Sequence, residues 1–185
     1  MSWLRSTELL GVAFAAVLAL LAPAALAQDA APKGAPEKGM SGGCEAFKWP
    51  LDKERAAFDA AGLEKVDSGA AHGPLTEQAF ALTLVPAKDV AFTIPPAKKK
   101  NDGFGGLVAF AAPEKPGVYQ VTLSGEGWID LVQEGKALRT SDHSGAKNCP
   151  GLRKSVRFML GATPVVLQIS DAVADTIKVG IRPVE

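Results

Sequence analysis

Histidine is nearly absent from this chain, with only His72 and His143 among 185 residues. A metal site that uses two imidazoles would therefore need both, and neither would be spare. Neither flank supplies an H-x-D/E or H-x-x-x-H spacing that would preorganise a pair. Cysteine is as scarce, with Cys44 and Cys149 alone. Net charge is missing too, since 20 Lys and Arg balance 20 Asp and Glu. That balance gives no electrostatic reason to expect nucleic acid or an anionic membrane as partner. No G-x-S-x-G elbow occurs within residues 44–185, no carboxylate pair stands out for glycoside hydrolysis, and no repeat recurs at a fixed period. Helical stretches of crossover length between strands are also lacking, which disfavours a parallel α/β fold.

What is present begins with an apolar run, LLGVAFAAVLALL at residues 9–21, after Arg5 and before Ala25-Leu26-Ala27. It falls short of the roughly 18 residues expected of a spanning helix, and a small-x-small cleavage signature follows. Residues 1–27 read as a secretory signal peptide, so the expected location is periplasmic or secreted, with no membrane insertion after cleavage. Residues 28–43, QDAAPKGAPEKGMSGG, have almost nothing to bury and read as a disordered linker. Residues 44–185 are the expected single domain. In an oxidising compartment two cysteines most often pair, so a Cys44–Cys149 disulfide is expected; a reactive thiol or metal pair is the alternative.

CEAFKWPLDKERAAFDAAG opens the domain. Pro50 suits a first helical turn, Asp52 and Glu54 favour an N-terminal end, and Gly62 can terminate. The spacing predicts one short helix over 51–61, with Leu51 and Phe58 on one face and Phe47 and Trp49 packing beside it. Strands follow at 80–85 (FALTLV), 90–94 (VAFTI) and 107–112 (LVAFAA). Alternation then becomes regular. Tyr119, Val121 and Leu123 share a face, as do Ile129 and Leu131; Val156, Phe158 and Leu160; Val165, Leu167 and Ile169; and Ile177, Val179 and Ile181. Period-two patterning separated by glycine turns predicts antiparallel sheets with one buried face. The expected fold is all-β: a jelly-roll-like antiparallel β-sandwich of about eight strands with one short N-terminal helix.

Several residues are candidates for chemistry. Trp128 is out of phase with Ile129 and Leu131, so it either faces outward as an aromatic plate or is buried under the helix. Lys147, Arg153, Lys154 and Arg157 form a basic cluster, in which Arg153 and Arg157 alternate with Ser155 opposite Val156 and Phe158; this predicts an exposed basic stripe suited to an acidic sugar or carboxylate-bearing partner. Cross-strand ion pairs with Asp130 or Asp171 are the other use for these arginines. Lys98, Lys99 and Lys100 mark a solvated loop or an anionic partner. Ser141, Asp142, His143 and Ser144 hold the letters of a triad, but sequence neighbours do not give triad geometry. Asp142 and Ser144 read as turn residues, in a loop that Cys149 staples to the start of the domain.

Two resemblances add to this. GVYQVTLSGEGWIDLVQEGKALR, SVRFMLGATPVVLQISDA and DTIKVGIRP resemble the strand order of bacterial pre-peptidase C-terminal domains and related carbohydrate-binding-like sandwiches. CEAFKWPLDKERAAF, GVYQVTLSGEGWIDLV and HSGAKNCPGLRKSVRF resemble a family of small exported alphaproteobacterial proteins that sometimes carry the label homogentisate 1,2-dioxygenase. That label would imply a metal-dependent oxygenase with iron held by His72 and His143. The leading expectation is an exported, monomeric, non-catalytic binding or accessory module without cofactor. Its ligand would be a glycan or an envelope protein, contacted by Trp128, Arg153 and Arg157. A purely structural envelope protein is the third expectation.

Overall fold

The computed structural model describes residues 42–98 and 102–184. The signal peptide read at 1–27, residues 28–41 of the linker, and Lys99 and Lys100 lie outside the described residues. The fold is a β-sandwich with one short helix. The strands are β1 (Glu64–Asp67), β2 (Ala71–Pro74), β3 (Gln78–Thr83), β4 (Val85–Pro86), β5 (Phe104–Ala111), β6 (Gly117–Leu123), β7 (Trp128–Gln133), β8 (Lys136–Ala137), β9 (Thr140–Gly145), β10 (Lys154–Leu160), β11 (Val165–Ala172) and β12 (Thr176–Pro183). The first sheet runs β1-β3-β12-β6-β10-β9; the second runs β2-β5-β11-β7-β8, with β4 also on β5.

The alternating segments supply the core as expected. Tyr119, Val121, Leu123, Ile129, Leu131, Val156, Phe158, Leu160, Val165, Leu167, Ile169, Ile177, Val179 and Ile181 are all buried between the sheets. Most pairs are antiparallel, but each sheet also carries one parallel edge pair, β1 on β3 and β2 on β5. The strand count exceeds about eight because β1, β2 and β9 are edges, whose solvent side need not be apolar. In β1 only Val66 is buried, and β9 reads TSDHSG. The loop expected at Ser141–Ser144 is therefore strand: β9 pairs in register with β10, His143 opposite Val156.

The helix α1 spans Asp52–Asp59, inside the expected 51–61, with Leu51 at its N-terminal cap and Ala60 already extended. The segment 90–94, expected as a strand, is irregular. Pro95 and Pro96 follow it and cannot donate to a ladder. Instead it lies against the outer face of the second sheet, where Gln168 Oε1 accepts from the Thr93 and Ile94 N–H groups at 2.7 and 3.2 Å.

The expectation of one buried face per sheet also needs correction, because each outer face is partly covered. Gln120, Thr122, Ser155 and Gln168, which alternate with core residues, are themselves fully buried. Residues 44–59 cover the first three. Trp49, Leu51 and Phe58 join Ala146, Cys149 and Leu152 in a second, smaller apolar cluster. Beneath it Trp49 Nε1 donates to Ser155 Oγ at 3.2 Å, and Thr122 and Ser155 hydroxyls meet at 2.9 Å. Glu54 Oε1 accepts from Arg182 Nε at 2.7 Å and from Gln120 Nε2. These polar residues hydrogen-bond one another, which offsets most of the cost of burying them, while Glu54 Oε2 stays buried without a hydrogen-bond partner. The Cys44–Cys149 disulfide ties the start of this covering segment to the loop between β9 and β10.

Candidate functional site

The turn Gly125-Glu126-Gly127 delivers Trp128 to the first position of β7, on the sheet's outer side. Its indole is only half-buried, and Nε1 donates to Asp130 Oδ1 at 3.0 Å. Asp130 Oδ2 accepts the Ala97 N–H at 3.1 Å, and Ser170 Oγ donates to the Lys98 carbonyl. Register explains the arrangement, since Gln168 lies opposite Asp130 and Ser170 opposite Trp128. Together they seat residues 93–98 beside the indole. Burial raises the Asp130 carboxyl above the ordinary aspartate value, and the bonds from Ala97 and Trp128 partly oppose that.

Lys98 Nζ stands 4.5 Å from the Trp128 ring centre and Lys154 Nζ stands 4.9 Å from it. Such cation–π contacts hold ammonium groups at a fixed place. A cleft of about 80 Å³ opens here, lined by Lys98, Glu126, Trp128, Arg153, Lys154 and Asp171 with Gly127. Arg153 Nη2 reaches Glu126 Oε1 at 3.3 Å. Asp171 has φ of 55°, in the left-handed region, where the pairing of β11 with β5 shifts register between Ile169 and Ala172. A non-glycine residue held there is strained, a feature that concentrates at ligand sites. Three cations against two carboxylates leave the lining one positive charge in excess.

Of the sequence candidates, Trp128 and Arg153 meet in this cleft and Arg157 does not. The Arg157 guanidinium stacks on the Trp49 ring at 3.9 Å, and its Nε donates to Gln120 Oε1 at 3.1 Å. The predicted open stripe is interrupted by Ser155, which is fully buried under Trp49. Trp128 thus lies neither fully outward nor under the helix, but in a rim cleft. The sequence names Lys98 and Lys154 but not their approach to Trp128, and it gives no sign of Glu126 in the cleft or of the anchoring role of Asp130.

The histidines do not converge. His72, on β2, packs against Phe80 and Phe110 with ring centres 5.9 and 5.6 Å away, and its Nε2 is 3.5 Å from Glu64 Oε2. His143 is on β9, four strand positions from the strand of Phe80 in the order β3-β12-β6-β10-β9. At ~4.8 Å per step the strand of Phe80, against which His72 packs, lies about 19 Å from β9. Among the described residues no group of three His, Cys, Asp or Glu side chains is placed to hold a metal ion. The residues present therefore do not fit the iron that the oxygenase label would imply. Ser141–Ser144 form no triad either. Asp142 Oδ1 accepts from Lys48 Nζ and from the His143 backbone N–H, both at 2.7 Å, which holds its carboxyl below the ordinary value. Ser144 Oγ accepts the Lys48 N–H at 2.8 Å.

Taken by class, the molecule is a small all-β sandwich with a mixed-charge cleft beside a tryptophan. Family models, curated proteins and solved structures gave no match to this chain.

Proposed function

We propose that this protein is an exported binding module, without catalysis of its own, whose ligand is an acidic glycan bound in the Trp128 cleft. One observation carries the reading: two lysine ammonium groups are held over the Trp128 ring beside Arg153 at an open rim. The carboxylate of a uronic acid suits preordered cations, and the hydroxyls beside it suit the carboxylates of the rim. The cleft has the volume of one anionic group rather than of a whole sugar ring, so a uronate would enter by its carboxylate and leave the chain outside. Fixing the lysines on the indole beforehand reduces the ordering cost of binding. Export is supported by the disulfide, since such bonds persist in oxidising compartments. No helix of the described residues is long and apolar enough to cross a membrane.

The test is calorimetric titration with an oligomer of uronic acids, against the same oligomer with its carboxyl groups reduced to alcohols. Binding of the acid form only is expected. Trp128→Ala removes the two cation–π contacts that hold the lysines in place, together about 1.4 kcal/mol, so affinity falls about tenfold. Arg157→Ala, outside the cleft, leaves it unchanged. Equal binding of both oligomers, or full affinity in Trp128→Ala, refutes the site.

A further inference from the structure

We infer that the Cys44–Cys149 bond is a thiol–disulfide exchange site for a dithiol reductant, activated by Arg55. The inference stands apart from the glycan reading and rests on the far end of the covering segment. Arg55, on α1, directs Nη2 at both sulfurs, 3.1 Å from Cys44 Sγ and 3.2 Å from Cys149 Sγ, while Nη1 donates to the Pro150 carbonyl at 3.2 Å. A disulfide sulfur is a weak, uncharged acceptor, so a guanidinium gains little from it. A thiolate at the same place is a full anion, and the identical contact becomes a charge-assisted hydrogen bond. Arg55 thus favours the products of reduction more than the disulfide, and it favours the departing sulfur as it acquires charge.

Access is asymmetric. Cys44 is exposed, whereas Cys149 is 6% exposed within the second apolar cluster. Beside Cys44 opens a cleft of about 370 Å³, walled by Phe47, Lys48, Trp49, Asp52, Arg55 and Leu152 among others. That volume falls in the range of small-ligand pockets and can seat the side chains around an incoming thiol. The ionisable groups on this wall are Lys48, already paired with Asp142, together with Asp52 and Arg55.

The exchange balances as follows. A thiolate of the reductant attacks Cys44 Sγ, forming a mixed disulfide as the Cys44–Cys149 bond breaks and Cys149 Sγ leaves as a thiolate beside Arg55. The second thiolate of the reductant then attacks its own sulfur in the mixed disulfide, releasing Cys44 as a thiolate. The reductant ends as a disulfide, two electrons poorer, and the two cysteine thiolates take protons from water according to pH. The product is a covering segment no longer tied to the β9–β10 loop.

The experiment follows reduction of the oxidised protein by dithiothreitol at fixed pH, with quenching by alkylation and counting of modified cysteines by mass. The expected result is a rate proportional to dithiothreitol concentration, and a rate at least threefold lower in Arg55→Met at unchanged melting temperature. Arg55→Lys, which keeps the charge, retains most of the wild-type rate. A slowing below threefold overturns the inference, as does a wild-type rate independent of dithiothreitol, which would mark reduction after unfolding. Should Arg55→Met melt earlier, the pH dependence of alkylation in reduced wild-type protein decides. An inflection below the ordinary cysteine value of about 8.5 supports the proposal, and one at or above it overturns it.

Discussion

Removing the Glu54 carboxylate is the sharpest test of how the helix is held on the first sheet. Glu54 is 4% exposed, and its Oε1 accepts from Arg182 Nε at 2.7 Å and from Gln120 Nε2. In Glu54→Ala the Arg182 guanidinium loses its anion and Gln120, fully buried, loses the acceptor of its amide. Breaking a buried pair from one side costs about 3–5 kcal/mol. The Arg182 side chain keeps 17% exposure and can turn partly to water, so the lower end of that range is expected. For a domain of this size each kcal/mol shifts melting by roughly 3 °C, so the variant should melt about 10 °C earlier. Urea melts followed by tryptophan fluorescence would report it, since Trp49 sits on the same face. The double variant Glu54→Leu/Arg182→Leu should recover most of the loss, because an apolar pair strands no charge. A loss under about 1 kcal/mol in Glu54→Ala, or strictly additive single costs, would refute the reasoning.

Packing and titration set further expectations. A Cβ at Gly180 would stand 3.3 Å from Phe58 Cε1, so Gly180→Val should lift α1 and cost about 1–3 kcal/mol, read by thermal melting. Phe58→Ala, emptying the same contact, should cost about 3–4 kcal/mol. Asp130 has its folded-state carboxyl raised by burial, so the folded protein holds that proton more tightly than the unfolded chain. Its contribution to stability therefore declines as pH rises from the ordinary aspartate value through the raised one. Asp142, lowered chiefly by the Lys48 hydrogen bond, acts in the opposite sense: its contribution is present above the ordinary value and lost as pH falls through the lowered one. Melting temperature against pH should lose the Asp130 component in Asp130→Asn and the Asp142 component in Asp142→Asn.

Period-two alternation located the inner faces, because a residue such as Val121 or Leu167 can satisfy itself only by burial. It could not say what covers the other face. Gln120, Thr122, Ser155 and Gln168 look like solvent-facing residues in sequence, and each is buried by partners far along the chain. The same remoteness hid the cleft. Trp128 and Arg153 were legible as an aromatic and a base in the right region, but Lys98 reaches Trp128 only because Asp130 and Ser170 hold its segment on the sheet. Arg157 was legible as a base on the outward side, yet the ring laid over it comes from Trp49, which sequence spacing does not link to β10. The edge strands escaped for another reason: an edge segment such as TSDHSG needs only one partner, and its composition carries no burial signal.

The position of β12 has a consequence for how the molecule comes into being. This final strand lies between β3 and β6, in the middle of the first sheet. Until it arrives, β1 and β3 on one side and β6, β10 and β9 on the other are separate fragments with open hydrogen-bonding edges. The chain also changes sheet at most steps, so few pairings are hairpins and most wait on distant partners. Such a topology folds slowly, in milliseconds to seconds, and only after β12 has been synthesised. A chain shortened before Thr176 would have its first sheet split, leaving β3 and β6 as unpaired edges open to other chains.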